Sequence, residues 1–223
     1  MNTIKTTSGL RGEKWDHILH LSVWAGIIGP ILYILVFTLD GALRPGYSAY
    51  REAASYLLLD SRGWLEIVNF IVFGFLLIAF AFGFLYRMSG VLSTGWLRTS
   101  TGLLVLVGVG FFMAAMFLPD PFGEPQHTLH AMLHNVAFTV VFFPLGMACV
   151  LIGSQLRKIV GWRIVGWYTM IIGIPICFIA LASLNFQPST PPAWGGLFER
   201  VFFVIVFAWY VIMASRMLKR ERA

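Results

Sequence analysis

Residues 64–86 read WLEIVNFIVFGFLLIAFAFGFLY, and this stretch decides the fold class. Glu66 is its one charged residue, and the stretch is as long as the roughly 20 residues that an α-helix needs to cross a bilayer. Five more apolar stretches of similar length follow the same pattern, at residues 21–39, 99–118, 129–153, 164–184 and 197–217. The sequence therefore predicts an all-α fold, a polytopic transmembrane bundle of six helices.

The composition agrees with a membrane protein. Hydrophobic residues make up 58% of the chain and charged residues 12%, with a mean hydropathy of +0.80. In an average soluble protein about a quarter of the residues are charged. The net charge of +6 comes from Lys and Arg residues dispersed between the apolar stretches, which is typical of membrane topology. We therefore predict membrane lipids as partners and no nucleic acid.

The 16 Lys and Arg residues fall unevenly on the two sides of the predicted bundle. One side holds twelve, which are Lys5, Arg11, Lys14, Arg87, Arg98, Arg157, Lys158, Arg163, Arg216, Lys219, Arg220 and Arg222. The other side holds Arg44, Arg51, Arg62 and Arg200. Because positively charged loops remain in the cytoplasm, both termini are predicted to be cytoplasmic. The predicted divisions are a cytoplasmic segment at 1–20, the transmembrane domain at 21–217 and a basic tail at 218–223.

Residues able to do chemistry gather on the predicted outer side. Seven of the 10 acidic residues belong to it, namely Asp40, Glu52, Asp60, Glu66, Asp120, Glu124 and Glu199. Three histidines, at 127, 130 and 134, also fall there. Any functional site is therefore expected at this end of the bundle.

The first outer loop, RPGYSAYREAASYLLLDSRG at residues 44–63, predicts a short amphipathic helix. Ser48 is suited to cap this helix, and Glu52 suits its first turn. Two interpretations remain open: a lid over the bundle, or a surface helix that packs only for stability.

Residues 127–135, HTLHAMLHN, form the densest polar cluster. Their spacing places His127, His130 and His134 along one helical face, after Asp120 between two prolines. One interpretation is a divalent metal site, for a metal such as zinc, formed by His130, His134 and Asp120. The other is a hydrogen-bonded network that stabilises the outer rim, because no Glu of a metalloprotease motif accompanies the histidines.

Two charged residues lie at the outer ends of predicted spans. Arg200 is predicted to face the bundle and to pair with Asp120, Glu66 or Glu52, because charged groups within spans usually find partners. Glu66 is shallow enough to reach the headgroup region, and we predict that it does.

Several short motifs together resemble the prokaryotic domain-of-unknown-function 998 family. They are Pro45-Gly46-Tyr47-Ser48, Ser55, Leu57, Asn69, Leu118-Pro119-Asp120, the segment from His130 to His134, and Gly196-Leu197-Phe198-Glu199-Arg200. The resemblance runs from about residue 25 onward, and it implies a six-helix integral membrane protein without an established activity. Asp120 with the two histidines also resembles, weakly, the zinc site of the alkaline-ceramidase-like membrane hydrolases, which have seven spans.

The leading functional prediction is a polar, outward-facing cavity that binds a lipid-like or amphiphilic small molecule. The residues predicted to line it are Arg51, Glu52, Ser55, Asn69, Asp120, His130, His134, Glu199 and Arg200. The alternative is a membrane-embedded enzyme that performs metal-assisted or acid/base chemistry on a hydrophobic substrate, with Asp120 and His134 as catalytic groups and His130 beside them. A small transporter and an accessory subunit are further alternatives.

Overall fold

The computed structural model describes residues 7–125, 127–185 and 193–219. The described residues form seven α-helices and one 3₁₀ helix, without a β-strand. The α-helices are α1 Thr7–Ser22, α2 Ala25–Ala42, α3 Gly63–Met88, α4 Thr94–Met116, α5 Leu129–Leu156, α6 Arg163–Asn185 and α7 Gly195–Lys219. Six of them, α2 to α7, are long and apolar enough to cross a membrane. The predicted all-α, multi-span bundle is therefore confirmed.

The first span is displaced from its predicted position at residues 21–39. The helix α1 ends at Ser22, and α2 begins at Ala25 and continues to Ala42. The junction between the two helices packs closely on α3, where a Cβ atom on Gly83 would come within 2.8 Å of the Val23 amide nitrogen. As a result Asp40 lies inside the last turn of α2, where it is buried.

The helices from α3 to α6 pack as sequence neighbours with their backbones close together. A Cβ atom on Gly108 of α4 would meet the Gly74 carbonyl oxygen of α3 at 2.7 Å. A Cβ atom on Gly173 of α6 would likewise lie 2.7 Å from the Gly146 carbonyl oxygen of α5. Glycine is required at these positions because any side chain would push the two backbones apart.

The last helix, α7, packs differently from the others. Its main neighbour is α2, and it meets α5 through aromatic rings rather than through backbone contact. The rings of Phe142 and Phe203, for example, stack with their centroids 5.8 Å apart. Because rings hold α7 and α5 apart, space remains between them.

An aromatic cluster around Tyr33 fills the centre of the bundle beneath that space. The Tyr33 ring stacks on Phe73 at 4.5 Å and meets Phe70 and Phe111 edge-on, each at 5.5 Å. Aromatic pairs in these geometries contribute about 0.5–1.5 kcal/mol each beyond their buried area. Tyr33 is therefore held in place by rings from three other positions.

The first outer loop contains a short 3₁₀ helix, Ala54–Leu58, and the predicted amphipathic α-helix is not confirmed. Ser48 does not cap this helix. Instead the Ser48 amide donates to Glu52 Oε1 at 2.9 Å, and the Glu52 amide donates to the Ser48 carbonyl oxygen at 2.8 Å, which closes a turn. The side chains of Ala54, Leu57 and Leu58 are buried, so the segment packs into the mouth of the bundle.

Candidate functional site

A cavity of about 300 Å³ lies between α7, α4 and α5 and reaches the end of the bundle that carries the loops 43–62 and 117–128. Its apolar walls come from Tyr33, Ala53, Phe70, Phe111, Ala114, Pro119, Phe138, Val141, Phe142 and Phe203. Its polar lining consists of Ser55, Tyr56, Glu124, His134, Asn135, Ser183 and Glu199. The cavity thus combines an aromatic interior with hydrogen-bonding groups, the usual composition of a small-molecule site.

The start of α5 is fixed by Asp120, whose carboxylate acts as a capping group. Asp120 Oδ2 accepts from the His127 amide at 2.9 Å and from the Thr128 amide at 3.0 Å, and Oδ1 accepts from the Thr128 hydroxyl at 2.6 Å. The Thr128 side chain in turn accepts from the Ala131 amide, as an N-cap. The hydrogen bonds from Thr128, first from its side chain and then from its amide, lower the pKa of Asp120 below its ordinary value.

His134 connects α5 to the end of α4 and borders the cavity. Its Nδ1 lies 2.7 Å from the Phe117 carbonyl oxygen. Because a carbonyl oxygen can only accept, Nδ1 must carry the proton in this hydrogen bond. Asn135, the next residue, also borders the cavity, and its buried Nδ2 has no hydrogen-bond partner among the described residues. Asn135 therefore offers an unpaired donor at the edge of the cavity.

Glu199 joins the start of α7 to the first outer loop. Its Oε2 accepts from the Ala54 amide, the first residue of the 3₁₀ helix, at 2.6 Å. The backbones also meet, because the Gly196 amide donates to the Arg51 carbonyl oxygen at 3.1 Å and the Leu197 amide to the Tyr50 carbonyl oxygen at 3.0 Å. The free amides of the α7 terminus are thus satisfied by the loop.

Arg200 completes this junction. Its Nη1 donates to the carbonyl oxygens of Glu52 and Gly196, both at 2.9 Å, and its Nη2 donates to Tyr47 Oη at 2.5 Å. Burial raises the pKa of Tyr47 to about 12, so its hydroxyl stays protonated and donates to the Ala53 carbonyl oxygen at 2.9 Å. The prediction that Arg200 pairs with a carboxylate is wrong: its guanidinium binds carbonyl oxygens that face it.

Arg44 fixes the same loop from the α2 side. Its Nη2 lies 2.6 Å from Asp40 Oδ2, and its Nη1 lies 3.0 Å from Asp60 Oδ2. The same Nη1 donates to the carbonyl oxygens of Leu57 and Leu59, at 2.8 and 2.9 Å. This network was not predicted, although the four-residue spacing of Asp40 and Arg44 at the end of the first span was a readable signal.

Glu66 and Asn69 lie beside the aromatic cluster, away from the cavity lining. Asn69 Nδ2 donates to Glu66 Oε1 at 3.1 Å and to the Tyr33 carbonyl oxygen at 3.2 Å. Glu66 is 0% exposed, so the prediction that it reaches the headgroup region is wrong. The extension of α2 and the loop 43–62 cover this end of α3 and bury the carboxyl group.

The structure brings some of the predicted site residues together and separates others. The predicted ligand-binding residues that line the cavity are Ser55, His134 and Glu199. Those outside its lining are Arg51, Glu52, Asn69, Asp120, His130 and Arg200. Sequence reasoning missed Tyr33, Tyr56, Glu124, Asn135 and Ser183 as lining residues; of these, Asn135 was readable as the neighbour of His134.

The predicted metal ligands do not converge. Within the described ranges, no group of three His, Cys, Asp or Glu side chains is close enough to hold a metal ion. His130 is exposed and meets the Phe117 ring edge-on at 5.7 Å, whereas His134 is buried. The Asp120 carboxylate holds the helix start and is not directed to either imidazole by any of these bonds.

Comparison with known proteins identifies the chain at the level of family. A family profile described as a protein of unknown function (DUF998) matches residues 27–216. This range includes all six spans except the start of the first and the end of the last. Searches of curated proteins and of solved structures gave no match. The match covers most of the chain and agrees with the motifs and the six spans. The protein therefore belongs to the DUF998 family of multi-pass membrane proteins.

Proposed function

We propose that the protein binds a single-chain amphiphile in the cavity between α4, α5 and α7. The observation that carries this proposal is the lining, in which the rings of Phe111, Phe138 and Phe203 surround an apolar space and hydrogen-bonding groups border it. The buried Nδ2 of Asn135 and the buried hydroxyl of Tyr33 have no partner among the described residues, and a ligand would satisfy them. A volume of about 300 Å³ suits one small molecule.

The charge of the lining favours an amphiphile with a cationic or neutral head. Glu124 and Glu199 border the cavity, and no Lys or Arg does so among the described residues. The charged groups of the described lining are therefore carboxylates alone, which disfavours an anionic head.

The test is a comparison of three probes with the same chain length in the detergent-solubilised protein: dodecylamine, dodecanol and laurate. Calorimetry should give the lowest Kd for dodecylamine and the highest for laurate. Ala114→Phe, which fills the cavity, should weaken dodecylamine binding at least ~10-fold. Leu106→Phe is the matched control, because it adds a ring to an exposed position of the same helix. Equal dodecylamine binding by Ala114→Phe and Leu106→Phe would overturn the proposal. If Ala114→Phe fails to fold, Ser183→Phe can replace it, because it fills the cavity from α6.

The head preference has its own test at Glu199. Glu199→Gln keeps an oxygen that can accept from the Ala54 amide but removes the negative charge. We expect dodecylamine binding to weaken about 10-fold and dodecanol binding to stay unchanged. Glu52→Gln is the control, since its carboxylate binds the Ser48 amide and does not line the cavity. A parallel loss of both probes in Glu199→Gln would contradict the charge argument.

The alternative, an enzyme that uses Asp120, His130 and His134 on a hydrophobic substrate, has less support. Of these three residues only His134 borders the cavity, and the Asp120 carboxylate accepts three hydrogen bonds at the start of α5. Elemental analysis after chelator-free purification tests the metal-assisted version directly. Stoichiometric zinc or iron that is lost in His134→Ala would favour the enzyme over the binding protein.

We further propose that the cavity faces the outside of a prokaryotic inner membrane, with both termini in the cytoplasm. The distribution of Lys and Arg supports this orientation. In a variant with Cys149 and Cys177 replaced by Ala, an impermeant maleimide should label Tyr50→Cys in intact cells. It should label Val160→Cys only after lysis, because Val160 lies at the opposite end of the bundle. The reverse pattern would contradict the orientation.

A further inference from the structure

At the end opposite the cavity, the turn between α5 and α6 forms a second concave surface. A depression of about 460 Å³ is lined by Arg157, Lys158, Ile159, Val160, Arg163 and Trp167. It contains three basic side chains and no acidic one. Since α5 ends at Leu156 and α6 begins at Arg163, both as spanning helices, the turn lies where the bundle leaves the membrane.

The basic side chains of this turn form no ion pair with the residues that the structure describes. Within the described part of the chain, Arg157, Lys158 and Arg163 make no ion pair, and only Arg157 is positioned by a neighbour. Its guanidinium carbon lies 4.8 Å from the centre of the Trp167 ring, a cation–π distance. Three unpaired positive charges around one depression favour an anionic ligand.

The apolar residues of the same surface indicate where that ligand comes from. Val160 is 98% exposed at the tip of the turn, and Ile164 is 85% exposed one residue after Arg163. Trp167 adds an aromatic ring of the kind that gathers at membrane interfaces. A soluble anion would leave these apolar side chains in water, whereas a lipid would cover them with its glycerol and acyl groups.

The turn is held rigidly enough to act as a site. Arg216 of α7 donates to the Gly161 carbonyl oxygen, and its guanidinium lies 5.7 Å from the centre of the Trp162 ring. Gly161 has φ of 83°, a left-handed conformation that favours glycine. The backbone that carries Arg157 and Arg163 is thus fixed from a third helix.

We propose that Arg157, Lys158 and Arg163 bind the phosphate of an anionic phospholipid at this membrane surface. The phosphodiester oxygens accept hydrogen bonds from the two guanidinium groups, and the lipid chains lie along the exposed faces of α5 and α6. Basic pockets between spanning helices recognise anionic headgroups in this way. The site is independent of the cavity at the other end, and it does not depend on what that cavity binds.

The experiment measures lipid binding to the detergent-solubilised protein by native mass spectrometry. The probes are phosphatidylglycerol and phosphatidylcholine with identical acyl chains. Each basic contact near a membrane surface changes affinity about five-fold, so phosphatidylglycerol should bind at least ~10-fold more tightly. Arg157→Gln/Arg163→Gln should lower this preference at least ~10-fold. The matched control is Arg98→Gln/Lys219→Gln, which removes two exposed charges from the same end outside the depression and should keep the preference.

Three outcomes would overturn the proposal. The wild-type protein could bind both lipids equally, or both double variants could lose the preference to the same extent, which would indicate diffuse attraction. Inorganic phosphate could compete as well as the lipid does, which would assign the site to a soluble anion. The single variant Arg163→Gln should fold like wild type, because the exposed Arg163 side chain makes no ion pair within the described residues. It therefore tests lipid binding separately from folding. It should lower the preference about five-fold.

Discussion

The two ends of the bundle both carry arginine, but the arginines do different work. At the loop end, Arg44 is 8% exposed and forms an ion pair with Asp40, and Arg200 donates to the carbonyl oxygens of the first outer loop and of its own helix. At the opposite end, Arg157 and Arg163 have no ionic partner within the described residues. Arginine with internal hydrogen-bond or ionic partners therefore fixes the loop that borders the cavity, while the proposed lipid site uses arginine without an ionic partner among the described residues.

The comparison explains why residue type alone was a poor guide to the site. Arg51 and Arg200 were predicted to line a cavity because they belong to the acidic, histidine and arginine residues that gather at one end of the bundle. The structure uses Arg200 to join α7 to the loop, and Arg51 lies over the Phe122 ring at 5.9 Å. The cavity is bordered by carboxylates and neutral groups, and the proposed ligand head is therefore cationic or neutral.

The largest effect is expected from Arg44→Gln. This change leaves the buried Asp40 carboxylate with Arg62 as its remaining ionic partner, and Arg62 is half exposed. Removing one member of a buried ion pair costs about 3 kcal/mol, which thermal unfolding in detergent should detect as a lower Tm. The double variant Asp40→Asn/Arg44→Gln should recover part of the loss. If Arg44→Gln is as stable as wild type, Arg44 does not stabilise the loop end of the bundle.

A smaller loss is expected from Arg200→Gln. The variant removes charge-assisted hydrogen bonds to the Glu52 and Gly196 carbonyl oxygens and to the Tyr47 hydroxyl. Bonds to a charged group contribute about 1.5–3 kcal/mol, so we expect a loss of about 2 kcal/mol in unfolding. Arg51→Gln, which removes an exposed charge from the same loop, is the control and should stay near wild type. If the two variants lose equally, Arg200 does not hold the loop.

The thermal stability of Asp120→Asn, compared with wild type at several pH values, tests whether the Asp120 carboxylate caps the start of α5. The hydrogen bonds that lower the Asp120 pKa favour the folded state when the carboxylate is ionised. Their contribution is therefore fully present above the ordinary pKa of 3.8 and is lost as the pH falls through the lower folded value. Wild type should unfold at a higher temperature than Asp120→Asn at pH 7, and the two should converge under acid conditions. A difference that is independent of pH would exclude a carboxylate cap.

The smallest effect is expected from Arg157→Gln, which should change the free energy of unfolding by about 0.5 kcal/mol or less. Its guanidinium lies over the Trp167 ring, and the residue is partly exposed. Thermal unfolding in phosphatidylcholine micelles provides the measurement. A loss of stability as large as that of Arg44→Gln would mean that arginine stabilises the fold at both ends of the bundle, and the two ends would not differ in this respect.

The sequence predicted the spans well because membrane insertion depends on local properties, namely length and hydrophobicity. The range 129–153 against the observed α5 Leu129–Leu156 illustrates this. The site was harder to predict because it depends on where the helices leave space. The burial of Glu66 depended on the loop that covers it. The spacing of residues in the sequence also could not show that α7 packs on α2 and leaves a gap beside α5.

Photoaffinity labelling tests the central claim most directly. Dodecylamine with a diazirine at the chain terminus should label peptides that contain Phe111, Phe138 or Phe203, whose rings line the proposed site. Excess unlabelled dodecylamine should suppress this labelling, and Ala114→Phe should abolish it. Labelling spread over the exposed face of α6, for example at Phe178, and not reduced by competitor would show that the amphiphile binds only the surface and would contradict the account.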